Sequence, residues 1–202
     1  MSILKSCVVS LLAMVVVVAA VNKTVSAATL DVRSGILYGA LNVNVGGEFY
    51  DVQFLEGSCG ALFGRCDAAE DFAFTTKGTA DIASEALIDQ VFVTHGATSI
   101  DFDANPENTH GISSTSFGQI LTPYYFLSPN QVRVSAAHNS STTLDLIDSA
   151  TYGIWDTTLG RANTVYAKWT TVTAVPLPAA LPLYGTALGL LGFIGWRRKR
   201  VL

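Results

Sequence analysis

The chain has 202 residues, of which 50% are hydrophobic and only 14% are charged, and its formal net charge is −4. Residues 28–174 hold all 16 acidic residues but only 6 of the 12 basic ones, so this part carries a formal charge of −10. A body this acidic excludes a protein that binds nucleic acid by neutralising its phosphates. Its 147 residues suit one domain with one core.

Residues 1–27 have the order of a secretory signal peptide. Lys5 supplies a basic segment, residues 7–21 form an uncharged run of 15, and small residues follow at 25–28. We predict cleavage by signal peptidase after Ala27 or Ala28. The alternative is an uncleaved anchor, but the run is shorter than the ~20 residues that a membrane-spanning helix needs. Cleavage makes the protein an exported one.

The first elements of the body are a hairpin and a helix. Two alternating runs, 41–45 and 48–55, are separated by Gly46-Gly47. Alternation on both sides of a two-residue glycine turn predicts a β-hairpin. Residues 79–93 change to helical spacing and predict one amphipathic helix. Its apolar positions are Ile82, Ala83, Ala86, Leu87 and Val91.

Short strands and turns fill the second half of the body. We predict a loop after Gly96, with strands resuming near Tyr124. Four further strands are predicted at 131–136, 142–147, 152–155 and 164–172. The turn residues that separate them lie at 128–130, 138–141 and 160–163. These patterns together predict an α+β fold that is mostly β, namely a compact β-rich domain at 28–174 with one helix.

Cys59 and Cys66 are the only cysteines that remain once the signal peptide, with Cys7, is removed. An even number of cysteines in an exported chain indicates a disulfide bond. A redox pair or a metal site is the alternative. Because no other Cys or His lies near them in sequence, we predict that the two cysteines pair with each other.

One loop places oxygen-bearing side chains at alternate positions, as hard cations such as Ca²⁺ prefer. These residues are Asp101, Asp103, Asn105 and Glu107. The loop departs from an EF-hand, because Pro106 stands at the glycine position and Ile112 at the position of the bidentate glutamate. A calcium site of unfamiliar geometry and a solvated turn both remain open, and no other cofactor is expected.

Catalytic motifs are missing from the sequence. The three histidines, His95, His110 and His138, lie in separate segments without zinc-ligand spacing, and there is no G-x-S-x-G motif. A Ser/His/Asp triad assembled only in space remains possible, since such triads ignore sequence order. We predict that the protein is not an enzyme.

The last segment, 175–202, has three parts in order. A proline-containing box is followed by an uncharged stretch at 179–196, about the minimum length of a spanning helix, and then by four basic residues. The box is Val175, Pro176, Leu177, Pro178 and Ala179, and the basic residues are Arg197, Arg198, Lys199 and Arg200. The positive-inside rule places the basic end in the cytoplasm and the body outside it.

This tail resembles the PEP-CTERM sorting signal of Gram-negative bacteria, in the variant that begins with a VPLPA box. The resemblance rests on the box, on the glycines of the helix and on the basic cluster; the glycines are Gly185, Gly189, Gly192 and Gly195. It implies recognition by an exosortase, a multipass membrane cysteine protease or transpeptidase that cuts near the box. A permanent membrane anchor is the alternative.

The resemblance also implies where the protein acts. The precursor is expected in the inner membrane with a periplasmic body, and the processed protein at the cell surface or in the extracellular matrix. Such proteins accompany exopolysaccharide and biofilm formation, so a structural or interaction component of that layer is the leading hypothesis. A secreted module that binds glycan or Ca²⁺ is the second hypothesis, and a secreted hydrolase is the third.

Overall fold

The computed structural model describes residues 27–93 and 100–172. The hydrophobic run of the signal peptide, His95 and the whole tripartite tail lie outside these residues. Within the described ranges, no helix is both long and apolar enough to cross a membrane.

Seven strands of the described residues form one mixed sheet. They are β1 (Thr29–Arg33), β2 (Ile36–Val45), β3 (Glu48–Leu55), β4 (Phe117–Leu127), β5 (Gln131–Ser140), β6 (Leu146–Gly153) and β7 (Thr164–Thr171). Their order across the sheet is β1-β2-β3-β7-β4-β5-β6. Two antiparallel meanders, β1–β3 and β4–β6, therefore flank the last strand, and β7 runs parallel to β4. The predicted mostly β character is confirmed.

The predicted hairpin is confirmed as the pair β2 and β3. Val45 pairs with Glu48, so Gly46 and Gly47 alone form the turn. Their φ angles are 61° and 97°, both in the left-handed region that a two-residue hairpin turn of type I′ requires. The glycine pair was a reliable signal because few other residues adopt these angles at low cost.

Two α-helices lie in the described part of the connection between β3 and β4. The short α1 spans Cys59–Leu62, and α2 spans Lys77–Gln90, where the sequence predicted 79–93. Helix α2 begins earlier than predicted because Thr76 caps it. The Thr76 side chain accepts a hydrogen bond from the Thr79 N–H at 3.2 Å. Ile82, which was predicted to face the core, is 44% exposed.

The prediction of a loop up to Tyr124 is wrong, because β4 begins at Phe117. Residues 118–124 contain Gly118 and Pro123, which both weaken a sequence-based strand assignment. The strand also lies between β7 and β5 and is covered on both faces, so its apolar residues do not alternate with polar ones. The register shift that follows Pro123 accommodates the proline.

The predicted turn at 138–141 and the two predicted strands at 142–147 and 152–155 are also wrong. Strand β5 continues through Ser140, and one strand, β6, replaces the two. The turn lies between them, where the Ser140 N–H donates to Asp145 Oδ1 at 2.8 Å and the Ser140 and Thr143 hydroxyls lie 2.9 Å apart. The predicted turns at 128–130 and 160–163 are confirmed.

The sheet buries both of its faces. On one face α2 packs against β2, β4 and β5, and Val165, Ala167 and Trp169 of β7 join that core. On the other face Tyr166 packs with Phe63, Phe72 and the two cysteines of the segment after β3. Neighbouring residues of β7 thus point into different cores, as a strand covered on both sides requires.

Candidate functional site

Cys59 and Cys66 form the predicted disulfide bond. Their Cα atoms lie 5.7 Å apart, and neither residue has any exposed surface. Arg65 and Cys66 adopt φ angles of 96° and 62°, which turn the chain back after α1 so that the second cysteine meets the first. Because thiol exchange requires access to a sulfur atom, this buried bond acts as a structural staple.

The two described histidines make contacts that a catalytic triad does not use. His110 Nδ1 lies 3.2 Å from the Phe54 carbonyl oxygen, and its ring packs on Tyr38 with centroids 4.4 Å apart. His138 Nε2 lies 3.3 Å from Gln119 Nε2. Neither contact is the Ser–His or His–Asp hydrogen bond of a nucleophilic triad.

The four predicted calcium ligands lie along one loop, where internal hydrogen bonds occupy part of their oxygen set. Asp101 Oδ1 accepts from the Ala104 N–H at 3.1 Å, and Asn105 donates from Nδ2 to the Asp101 carbonyl at 2.7 Å. Glu107 lies in the 3₁₀ turn Pro106–Asn108. Among the described residues, no group of three or more His, Cys, Asp or Glu side chains is arranged to hold a metal ion. The calcium site remains a prediction.

A pair of adjoining clefts surrounds the turn between β5 and β6. Leu144, at the tip of this turn, is 90% exposed and lines both of them. The larger cleft, about 500 Å³, lies between this turn, the end of α2 and the loop that carries Asp103. The smaller cleft, about 350 Å³, lies on the other side of Leu144, against β4 and β5. No sequence signal marks these clefts, because their walls come from four separated segments.

Burial shifts the pKa of three side chains that line the clefts. Partial burial raises the pKa of Asp103, and the Asp101 charge raises it further. Burial also raises the pKa of Asp145, although the Ser140 N–H opposes this effect. Burial lowers the pKa of His138, with Asp148 acting in the opposite sense, so the imidazole is mostly neutral at pH 7.

The smaller cleft combines an aromatic wall with hydroxyl groups. The Phe117 ring stacks on His138 with centroids 6.4 Å apart and an interplanar angle of 22°. Ser116, Ser140, Thr142 and Thr143 line the same cleft. This arrangement suits binding of a small polar ligand and provides no activated nucleophile.

Known proteins offer no guide to this site. Comparison of the chain with protein-family models, with curated proteins and with solved structures finds no match.

Proposed function

We propose that this chain is the precursor of an exported protein that an exosortase sorts to the cell surface or extracellular matrix, where it is a structural or interaction component of the exopolysaccharide layer. The observation that carries the proposal is the tail, in which the VPLPA box, the apolar stretch 179–196 and the basic cluster 197–200 follow one another in order. The disulfide in the body supports it, because such bonds persist in oxidising compartments.

The chemistry of the tail supports a processing step at the box. Pro176 and Pro178 lack the backbone N–H that a helix needs, and each disfavours helical backbone at the residue before it. The sequence of the box therefore favours extended over helical backbone, which is the form that we propose a membrane protease binds. Signal peptidase acts first, the body then sits in the periplasm, and cleavage near the box separates it from the membrane.

In this proposal the body, residues 28–174, binds a ligand. The clefts around Leu144 are lined by an aromatic ring, by Ser and Thr residues and by two carboxylates, a mixture that suits a ligand-binding module. A glycan-binding module is accordingly the second candidate.

Orientation of the precursor tests the proposal. With an epitope appended after Leu202, we expect external protease on spheroplasts to digest the body and spare the epitope, because Arg197–Arg200 hold residues 197–202 in the cytoplasm. Replacing Arg197, Arg198, Lys199 and Arg200 with neutral residues should expose the epitope and leave the body unprocessed or prematurely released. Digestion of the wild-type epitope from outside would overturn this topology, and with it the sorting proposal.

A further inference from the structure

Trp155 is exposed, although the backbone around it is firmly held. Its side chain is 64% exposed, whereas the preceding Ile154 is buried. The Ile154 N–H donates to the Asn130 carbonyl at 2.9 Å, and the Ile154 carbonyl accepts from the Gly60 N–H at 2.8 Å. On the other side of Trp155, the Thr158 N–H donates to the Gly57 carbonyl at 2.9 Å. Hydrogen bonds therefore fix the backbone on both sides of the exposed indole.

The indole ring also rests on a glycine. A Cβ atom added to Gly60 would lie 2.6, 2.9 and 3.0 Å from the Cζ3, Cε3 and Cη2 atoms of Trp155. Three similar distances to one edge of the six-membered ring mean that the indole lies closely against the Gly60 backbone. Gly60 belongs to α1 and lies within the loop 59–66 that the Cys59–Cys66 disulfide closes. The ring position is thus set before any ligand arrives.

The apolar surface here is small. Trp155 and Leu159, both 64% exposed, are the large apolar side chains exposed in the segment 154–163. A stable protein interface buries about 800 Å² on each partner, far more than two side chains supply. A single sugar ring matches the size of one indole, because its apolar C–H face covers the ring while its hydroxyls point away from it.

The same segment carries two polar side chains that are held in place. Asp156 Oδ2 accepts from the Gly153 N–H at 3.0 Å. Arg161 donates from Nε to the Thr157 carbonyl at 3.1 Å, and its guanidinium lies 5.8 Å from the centre of the Tyr152 ring. A carboxylate accepts hydrogen bonds from hydroxyls, and a guanidinium donates hydrogen bonds to them.

We propose that Trp155 is a stacking platform for one ring of a neutral polysaccharide. This inference names a ligand class for the proposed function. It rests on that function for one premise, namely that the exported protein meets polysaccharide. The site itself rests on the geometry of Trp155, Gly60 and the segment 154–161.

The test uses the full chain in a sugar-free detergent, run on native gels that contain laminarin, xylan or mannan. We expect at least one of these polymers to retard the protein, and Trp155→Ala to weaken that binding by about tenfold or more. Trp155→Phe, which keeps an aromatic face, should retain most of it. Gly60→Ala should weaken binding like Trp155→Ala, because it displaces the ring while φ at residue 60 stays outside the left-handed region.

Tyr125→Ala is the matched control, since Tyr125 is an aromatic residue of β4 that is 52% exposed. It should bind as the wild type does, and all variants should unfold at the wild-type temperature. Retardation by none of the three polymers, equal binding by Trp155→Ala, or an equal loss in Tyr125→Ala would each overturn the stacking platform. None of these results affects the sorting proposal, which depends on the tail.

Discussion

Replacing Pro176 and Pro178 together with Ala is expected to leave the protein in the membrane with its full tail. Alanine favours helical backbone through the box, because it restores the backbone N–H and the α region that proline disfavours. The extended backbone that we propose the protease binds is then disfavoured. Membrane fractionation with immunoblotting of the body should show the wild type released and the double variant wholly retained.

Pro182→Ala provides the control for this experiment, since Pro182 lies within the apolar stretch and outside the box. Its loss removes a proline from the predicted span and leaves the box intact, so processing should continue. Release of the Pro176/Pro178 double variant at the wild-type level would contradict recognition of the box.

Gly39→Ala is expected to destabilise the body by about 3 kcal/mol, at the upper end of what overpacking costs. Gly39 lies in β2 with a φ of 154°, and an added Cβ would lie 2.0 Å from the Val52 carbonyl oxygen of β3. The atom it meets is backbone, and Gly39 pairs with Asp31 on one side and Gln53 on the other. Neither neighbouring strand can move away without breaking the sheet. Urea unfolding measures the change in the free energy of unfolding.

Gly78→Ala is the control for Gly39→Ala, because it makes the same substitution at a site with free space. Gly78 lies in α2, and an added Cβ would meet nothing within 4 Å. Alanine should therefore raise the free energy of unfolding by about 0.5–1 kcal/mol, because it favours helical backbone. Equal unfolding midpoints for the two variants would contradict the close approach of β2 and β3 at Gly39.

Local chemistry explains which elements were predictable. The hairpin follows from Gly46-Gly47, because its two-residue turn needs positive φ angles. Helix α2 follows from the helical spacing of its apolar residues. Both signals are properties of a few neighbouring residues. The cysteine pair followed from an even count in an exported chain. Each of these signals is local or compositional, so no knowledge of the tertiary structure was needed.

Tertiary context explains what was missed. Strand β4 is buried on both faces, so the alternation that marks a half-exposed strand is lacking. Asn139 looked like a turn residue but is buried, where it donates from Nδ2 to the Phe102 carbonyl at 2.7 Å. The setting of Trp155 depends on contacts of Gly57 and Gly60 with residues about a hundred positions away, which periodicity does not report.

The most direct test of the central claim is mass spectrometry of both ends of the protein, from cells with and without the exosortase. We predict that the mature chain begins after Ala27 or Ala28 in both, and that it ends near Val175–Ala179 only where the exosortase is present. Without the enzyme it should end at Leu202 and remain in the membrane. A chain that ends at Leu202 in both strains, or near the box in both, would contradict sorting by an exosortase.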